Sequence, residues 1–112
     1  MANMELIGAQ TLTTTTASIT FSAIPATYTD LYLVLSLRSS VSGNEDGLWI
    51  SQINGSGSNL TNRWVRGSGS STSSSSSATY GIYVGQVSGA TATASSFGNI
   101  SIYIPNYASA DY

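Results

Sequence analysis

Residues 19–38 read ITFSAIPATYTDLYLVLSLR and contain two stretches of β-strand pattern joined by a proline-containing corner. After the corner, every second residue is a leucine: Leu31, Leu33, Leu35 and Leu37. This alternation is typical of a half-buried strand, because successive side chains of a strand point to opposite faces of the sheet. A face of four leucines needs a second apolar layer to cover it. The segment therefore predicts an all-β protein with an antiparallel β-sandwich or jelly-roll-like fold.

Shorter strand patterns occur along the rest of the chain. They cover residues 5–12, 17–22, 48–53, 60–66, 80–87 and 97–104. No segment combines a helix start, a helix stop and a period of 3.6 residues. Because a sandwich usually has seven or eight strands, we predict that residues 1–112 form a single β-sandwich domain.

Two polar segments predict connections between strands. Residues 68–77 contain eight serines, one glycine and one threonine, and none of these side chains contributes to a core, so we predict a mobile loop. Residues 41–46 are polar and predict an exposed turn. The pair Asn54-Gly55 is a strong turn signal, and the serines and glycine that follow it predict a loop longer than two residues.

The charge of the chain favours self-association. Charged residues make up 7% of the sequence and the formal net charge is −2, whereas globular domains have about 25% charged residues. A weak net charge does little to keep copies apart. Lysine, which often protects an open sheet edge, is absent from the sequence. We therefore predict a homo-oligomer, such as a trimer, in which neighbouring subunits complete the fold.

The sequence also lacks histidine and cysteine, which together with the absence of lysine removes most catalytic chemistries. Imidazole bases, Schiff-base lysines, thiolate nucleophiles and disulfides are excluded. We predict that the protein is not an enzyme and has no cofactor and no metal. Three arginines are too few for a nucleic-acid surface. The chain has no signal-peptide pattern and no long apolar run, so we predict a soluble protein that is neither exported nor bound to a membrane.

One acidic segment carries the oxygen ligands that a cation site or a carboxylate dyad requires. Asn44, Glu45 and Asp46 carry oxygen atoms of the kind that Ca²⁺ binds, but two carboxylates with this spacing do not match an EF-hand loop. The same adjacent pair is a weak match for a glycosidase dyad, whose carboxyl groups flank a bond from opposite sides. An ordinary solvated turn is the favoured interpretation.

Six aromatic residues are the candidates for a binding or assembly surface. They are Trp49, Trp64, Tyr80, Tyr83, Tyr103 and Tyr107. An aromatic platform with neighbouring Asn and Ser side chains is suited to sugars. A subunit interface is the favoured interpretation, because aromatic side chains bury a large area at interfaces without any further requirement.

Two segments carry a resemblance to a known family. In this order, FSAIPATYTDLYLVLSLRSS at residues 21–40 and FGNISIYIPNY at residues 97–107 resemble a family of small β-rich structural proteins of tailed bacteriophages, many of them from marine and cyanobacterial hosts. These segments are packing and corner motifs, so the resemblance assigns no functional residues. Members of the family often continue for several strands beyond the second motif, which makes a self-contained fold less expected here.

The resemblance implies a virion component, either a capsid decoration protein or part of a tail or fibre. The implied partners are further copies of the chain and other virion proteins, and the implied location is the virion, which is assembled in the host cytoplasm. The alternative, from the aromatic residues, is a carbohydrate-binding or adhesin module that recognises glycans of the host surface.

Overall fold

The computed structural model describes residues 3–78 and 81–109, and these residues form an all-β protein. The strands are β1 (Leu31–Leu37), β2 (Glu45–Ile50), β3 (Asn62–Ser68), β4 (Ser71–Ser77), β5 (Ile82–Ser88) and β6 (Gly98–Ile104). No helix occurs in these two ranges. The strands pair as β1 with β6, β2 with β5 and β3 with β4, giving three two-stranded sheets. The predicted all-β class and antiparallel pairing are confirmed.

Strand β1 has the alternation that the leucine pattern predicts. Its leucines are half-buried, and the three residues between them are exposed. Strand β6 alternates in the same way. The Tyr107 amide, just after β6, donates to the Thr29 carbonyl, just before β1, over 2.9 Å. Since the start of one strand lies beside the end of the other, β1 and β6 run antiparallel.

The chain divides into two compact units. The first unit is Met1–Tyr32 with Tyr103–Tyr112, and the second unit is Leu33–Ile102. The single sandwich domain therefore remains a prediction.

In the first unit, residues 5–12 and 17–22 form no strand, contrary to the sequence-based prediction. Side chains connect this region: Gln10 Nε2 donates to the Thr20 carbonyl (2.8 Å), and the Tyr28 hydroxyl donates to Glu5 Oε2 (2.9 Å). No main-chain hydrogen bond joins any two of the described residues 3–24. The two segments have the side-chain alternation of strands, but their main-chain groups lack the hydrogen-bond partners that a strand requires.

In the second unit, the serine-rich segment forms a strand, so the predicted loop at 68–77 is wrong in its secondary structure. Strand β4 pairs antiparallel with all seven residues of β3, from Asn62↔Ser77 to Ser68↔Ser71. Gly69, with φ 63°, sits at the first position of a two-residue turn, as a type II′ hairpin requires. The ladder needs only backbone groups, and most β4 side chains stay exposed. Mobility of the segment remains a prediction.

The turn at Asn54-Gly55 is confirmed, but it is tighter than expected. Ile53 and Ser56 exchange two main-chain hydrogen bonds of 3.0 and 2.9 Å, which closes a two-residue loop. Asn54 and Gly55 have φ values of 52° and 76°, the positive pair of a type I′ turn. The predicted turn at 41–46 is shorter than expected, because Glu45 and Asp46 already belong to β2.

Arg38 forms hydrogen bonds with the segment that connects β5 to β6. Its guanidinium donates to the carbonyl oxygens of Ala90, Ala92, Thr93 and Ser96 over 2.8 to 3.2 Å. The planar fork of an arginine suits this arrangement, because it presents several donors in fixed directions. Arg38 therefore ties the segment after β1 to a connection more than fifty residues further along the chain.

Little apolar surface is buried. Val87 is the only apolar side chain that counts as buried among the described residues, and Gly98 crosses it so closely that a Cβ there would lie 2.7 Å from Val87 Cα. The chain exposes 8544 Å², whereas a compact protein of this mass exposes about 5,800 Å². Most apolar side chains of the strands are thus only half covered.

Candidate functional site: an aromatic face on β2, β3 and β5

An irregularity in the β2–β5 ladder places two aromatic residues opposite each other. Leu48 pairs with Gly85, but the next residue, Trp49, pairs with Tyr83, so Val84 is an extra residue on β5. A bulge of this kind reverses the alternation of side chains beyond it. Gly85 has a φ of 143°, a conformation that other residues rarely adopt.

The rings of three aromatic residues meet in the second unit. The Tyr83 ring lies 5.0 Å from the Trp49 ring and 5.5 Å from the Trp64 ring, in tilted arrangements. Gly47 leaves room for them, because a Cβ there would lie 3.2 Å from Trp49 Nε1 and 3.3 Å from Tyr83 Cε2. Trp49 keeps 37% of its surface exposed. We call Trp49, Trp64 and Tyr83 the aromatic face.

Polar side chains border the aromatic face. Arg66 Nη1 donates to Gln86 Oε1 over 2.7 Å and lies 3.6 Å from Glu45 Oε1. Trp64, Arg66, Tyr83 and Gln86 contribute to the lining of a shallow hollow of about 250 Å³. An aromatic wall next to fixed hydrogen-bonding groups can bind a small ring-shaped ligand or pack against another protein.

The structure therefore brings together three of the six predicted aromatic residues. Tyr103 and Tyr107 belong to the first unit, where their hydroxyls are engaged with that unit's own residues. Tyr80 lies outside the described residues. The predicted platform of six is reduced to the aromatic face, and its role stays a prediction.

Sequence reasoning missed the polar border of this site. Trp64 and Arg66 are two residues apart on β3, so the strand period alone places them on one face. That signal was available. The approach of Glu45 and Gln86 depends on how β3 lies against β2 and β5, which no local pattern encodes.

In the first unit, the two motifs that carry the family resemblance bind each other. The Tyr107 hydroxyl donates to the carbonyls of Ile24 (2.8 Å) and Pro25 (3.0 Å). Asp30 accepts from the Tyr103 hydroxyl (2.5 Å) through one carboxylate oxygen and from the main-chain amide of Asn106 (2.9 Å) through the other. The proline corner and the IPNY segment thus form one hydrogen-bonded structure.

These contacts shift two pKa values in opposite directions. The Tyr103 hydroxyl, and then the Asn106 amide, lower the pKa of Asp30, since both favour its charged form. The bond to Asp30 raises the pKa of Tyr103. The contribution of Asp30 to stability is present above its unfolded-state pKa and is lost as pH falls through the folded value. The contribution of Tyr103 is present below its unfolded-state pKa and is lost as pH rises through the folded value.

Replacing Tyr103 by phenylalanine is expected to raise the pKa of Asp30 toward its ordinary range, because the largest cause of the lowering is removed. A smaller lowering should persist, since the Asn106 amide still donates to the carboxylate. Carboxyl ¹³C NMR titration measures this value directly. The variant Tyr32→Phe, which changes an exposed tyrosine of β1, is the control. An equal pKa of Asp30 in Tyr103→Phe and in the control would contradict the assigned effect of the Tyr103 hydroxyl on this pKa.

The described residues meet neither the requirements of a metal site nor those of a membrane-spanning helix. No group of three or more His, Cys, Asp or Glu side chains there lies close enough to hold a metal ion. In the acidic segment 44–46, Asp46 accepts from the Ser39 hydroxyl (2.6 Å), and the Asn44 side chain accepts from the Thr91 hydroxyl (3.1 Å). Within the same ranges no helix is long and apolar enough to cross a membrane.

The aromatic face and the hydrogen-bonded corner are thus the two chemically distinctive parts of the described chain. Each is built from residues of one compact unit. Comparison of the chain with protein-family models, with curated proteins and with solved structures finds no match.

Proposed function

We propose that this chain is a non-enzymatic structural subunit of a tailed-bacteriophage virion, a capsid decoration protein or a tail or fibre component. It acts by assembling with its own copies and with other virion proteins. The observation that carries the proposal is the apolar surface that the described residues leave uncovered. Large apolar side chains remain exposed in both units, including Leu6 (81%), Val34 (69%) and Val65 (81%). Exposed apolar side chains that lie next to one another mark an interaction site, and Tyr32 and Val34 are such neighbours on one face of β1.

Strand β1 supports this proposal most clearly. Its leucines face one side of the sheet, and Tyr32 and Val34 are exposed on the other side, 54% and 69% respectively. A strand that is apolar on both faces is typical of a strand covered on both faces. Other subunits would supply that cover, and the completed fold would be a β-sandwich or jelly-roll-like structure.

The virion location rests on the resemblance of residues 21–40 and 97–107 to phage structural proteins. In the structure these two segments are joined by hydrogen bonds of Asp30 and Tyr107. Assembly would take place in the host cytoplasm, and no catalytic step is required of the chain.

Mass spectrometry of purified phage particles tests this proposal. Particles made from the genome that encodes the chain should contain it in a fixed ratio to the major capsid or tail protein. The ratio should survive a gradient that removes loosely bound proteins. Recovery of the chain only from the soluble fraction of the lysate would contradict a virion role.

The aromatic face favours a second candidate function, the binding of a host-surface glycan. Trp49 is partly exposed, and Arg66 and Gln86 offer polar groups next to Trp64 and Tyr83. Aromatic rings stack on the apolar faces of sugars, while the polar border fixes their hydroxyl groups.

If this second function holds, Trp49→Ala should weaken glycan binding at least tenfold, or about 1.4 kcal/mol. A glycan array finds the ligand, and titration calorimetry then measures its affinity for both proteins. Phe97→Ala removes an exposed aromatic side chain outside the aromatic face and should leave the affinity unchanged. Absence of any bound glycan on the array, or equal losses in the two variants, would contradict glycan binding at this site.

A further inference from the structure

We infer that residues 5–12 and 17–22 are pairing strands that join an open strand edge of a second copy of this chain. The inference rests on the proposed self-assembly and specifies its mechanism, which is strand addition. We call residues 3–24 the arm.

The first observation is the unused backbone of the arm. Both segments have the strand pattern, yet no main-chain hydrogen bond joins any two of the described residues 3–24. The arm is held within the first unit by side-chain bonds such as Gln10 to the Thr20 carbonyl. Backbone amide and carbonyl groups require partners whenever they leave water. The arm thus offers a row of donors and acceptors that only an added strand edge would use fully.

The second observation is the distribution of apolar side chains along the arm. Met4, Leu6 and Leu12 are 83%, 81% and 45% exposed. These three occupy even-numbered positions, so in a strand they would share one face. Ile7, which is 39% exposed, would lie on the opposite face. A second copy that pairs with this backbone would also cover that face. These side chains are exposed in the isolated chain and would be aligned in a strand. Both features favour a state in which the arm pairs with a second copy.

The third observation is the supply of open edges. Each of the six strands has one ladder partner among the described residues. A bridge between Arg38 and Ser88 covers only the last residue of β5, so most of the second edge of each strand has no ladder partner there. Strand β1, for example, has the sequence LYLVLSL and carries no charged side chain to discourage pairing. Strand addition to an exposed edge is a recurrent mode of protein association. The same chain therefore carries both halves of the contact.

The exposed area favours a second copy as the occupant. The chain exposes 8544 Å², about 2,700 Å² more than a compact protein of its mass. Obligate interfaces bury about 2,000 to 5,000 Å² in total over both partners. The excess is therefore sufficient for obligate contacts with neighbouring copies. Because arm and edge are different surfaces, two copies can exchange arms reciprocally, or several copies can pass the arm from one to the next in a closed ring.

Hydrogen exchange read by mass spectrometry, together with the mass in solution, tests the inference on the full chain. In the assembled protein, peptides from residues 4–24 should exchange at least about tenfold more slowly than the same peptides in unfolded chain. In protein diluted to the monomer, they should exchange freely, since no main-chain partner of the arm occurs in residues 3–78 and 81–109.

Proline substitutions separate backbone pairing from side-chain packing. Adjacent residues of a strand direct their amides to opposite sides. The two single variants Gly8→Pro and Ala9→Pro therefore remove amides from opposite edges of the arm. The variant that lacks the amide facing the second copy should lose the protection of the arm and have a lower assembled mass. Gly8→Ala is the matched control, because its Cβ would lie at an ordinary 3.7 Å from Phe21 Cδ1. It should keep both the protection and the mass.

The outcomes are distinguishable. A stable oligomer whose arm exchanges freely would overturn strand addition and leave the proposed assembly intact. A chain that stays monomeric at every concentration would overturn both. Protection of the arm in the monomer would show a partner within the same chain and overturn the inference. Protection that appears only after other virion proteins are added would exclude a second copy as the occupant.

Discussion

Replacing Arg38 by methionine is expected to lower the free energy of unfolding by about 3 kcal/mol, because hydrogen bonds to a charged group contribute about 1.5 to 3 kcal/mol and several are lost here. The guanidinium binds four carbonyl oxygens between residues 90 and 96, and part of this network is shielded from water. The connection between β5 and β6 would lose its attachment to the end of β1. Urea denaturation followed by circular dichroism measures the change.

Two control variants sharpen this test. Arg38→Lys keeps the charge but cannot present a planar fork to several carbonyls, so an intermediate loss is expected. Arg63→Met removes an exposed arginine of β3 and should change stability by less than about 0.5 kcal/mol. All variants are compared at one protein concentration, since the proposed self-assembly would add to stability. Equal stability of Arg38→Met and Arg63→Met would contradict the assigned role of Arg38.

Replacing Gly81 by alanine is expected to cost about 3 kcal/mol or more, from backbone strain and overpacking together. Gly81 has a φ of 99°, which alanine rarely adopts, and a Cβ there would collide with the Ile50 carbonyl oxygen. The Gly81 carbonyl also accepts from the buried Asn62 side chain over 2.7 Å, so its displacement would disturb the start of β3.

Gly67→Ala is the matched control for Gly81→Ala. Gly67 lies in β3, and a Cβ there would have no other atom within 4 Å. It should change the free energy of unfolding by no more than about 0.5 kcal/mol. Both variants are compared with the unchanged protein by urea denaturation. Equal, small effects of the two substitutions would contradict the close approach of Gly81 to Ile50.

The strands that could be predicted are those with strong alternation of apolar residues. The leucines of β1 and the isoleucines of β6 mark one face of each strand, and the structure confirms both. Strand β4 could not be found in this way, because its serines carry no apolar signal. Its backbone pairs with β3, and Gly69 closes the turn, so the hairpin depends on backbone geometry rather than on burial.

The arm shows the opposite case. Residues 5–12 and 17–22 have strand pattern but are not strands, because alternation predicts which side chains share a face and does not supply a backbone partner. The aromatic face was predictable as a set of residue types but not as a site. The bulge that pairs Trp49 with Tyr83 arises from one extra residue in the ladder, and no local sequence signal fixes its position.

We propose that copies of this chain complete one another's β-structure. Multi-angle light scattering at several protein concentrations, with circular dichroism on the same samples, measures whether they do. A β-rich species with the mass of a trimer or another small oligomer is expected, and dilution should dissociate it with loss of the β-signal. A well-folded monomer with an unchanged β-signal at every concentration would contradict it.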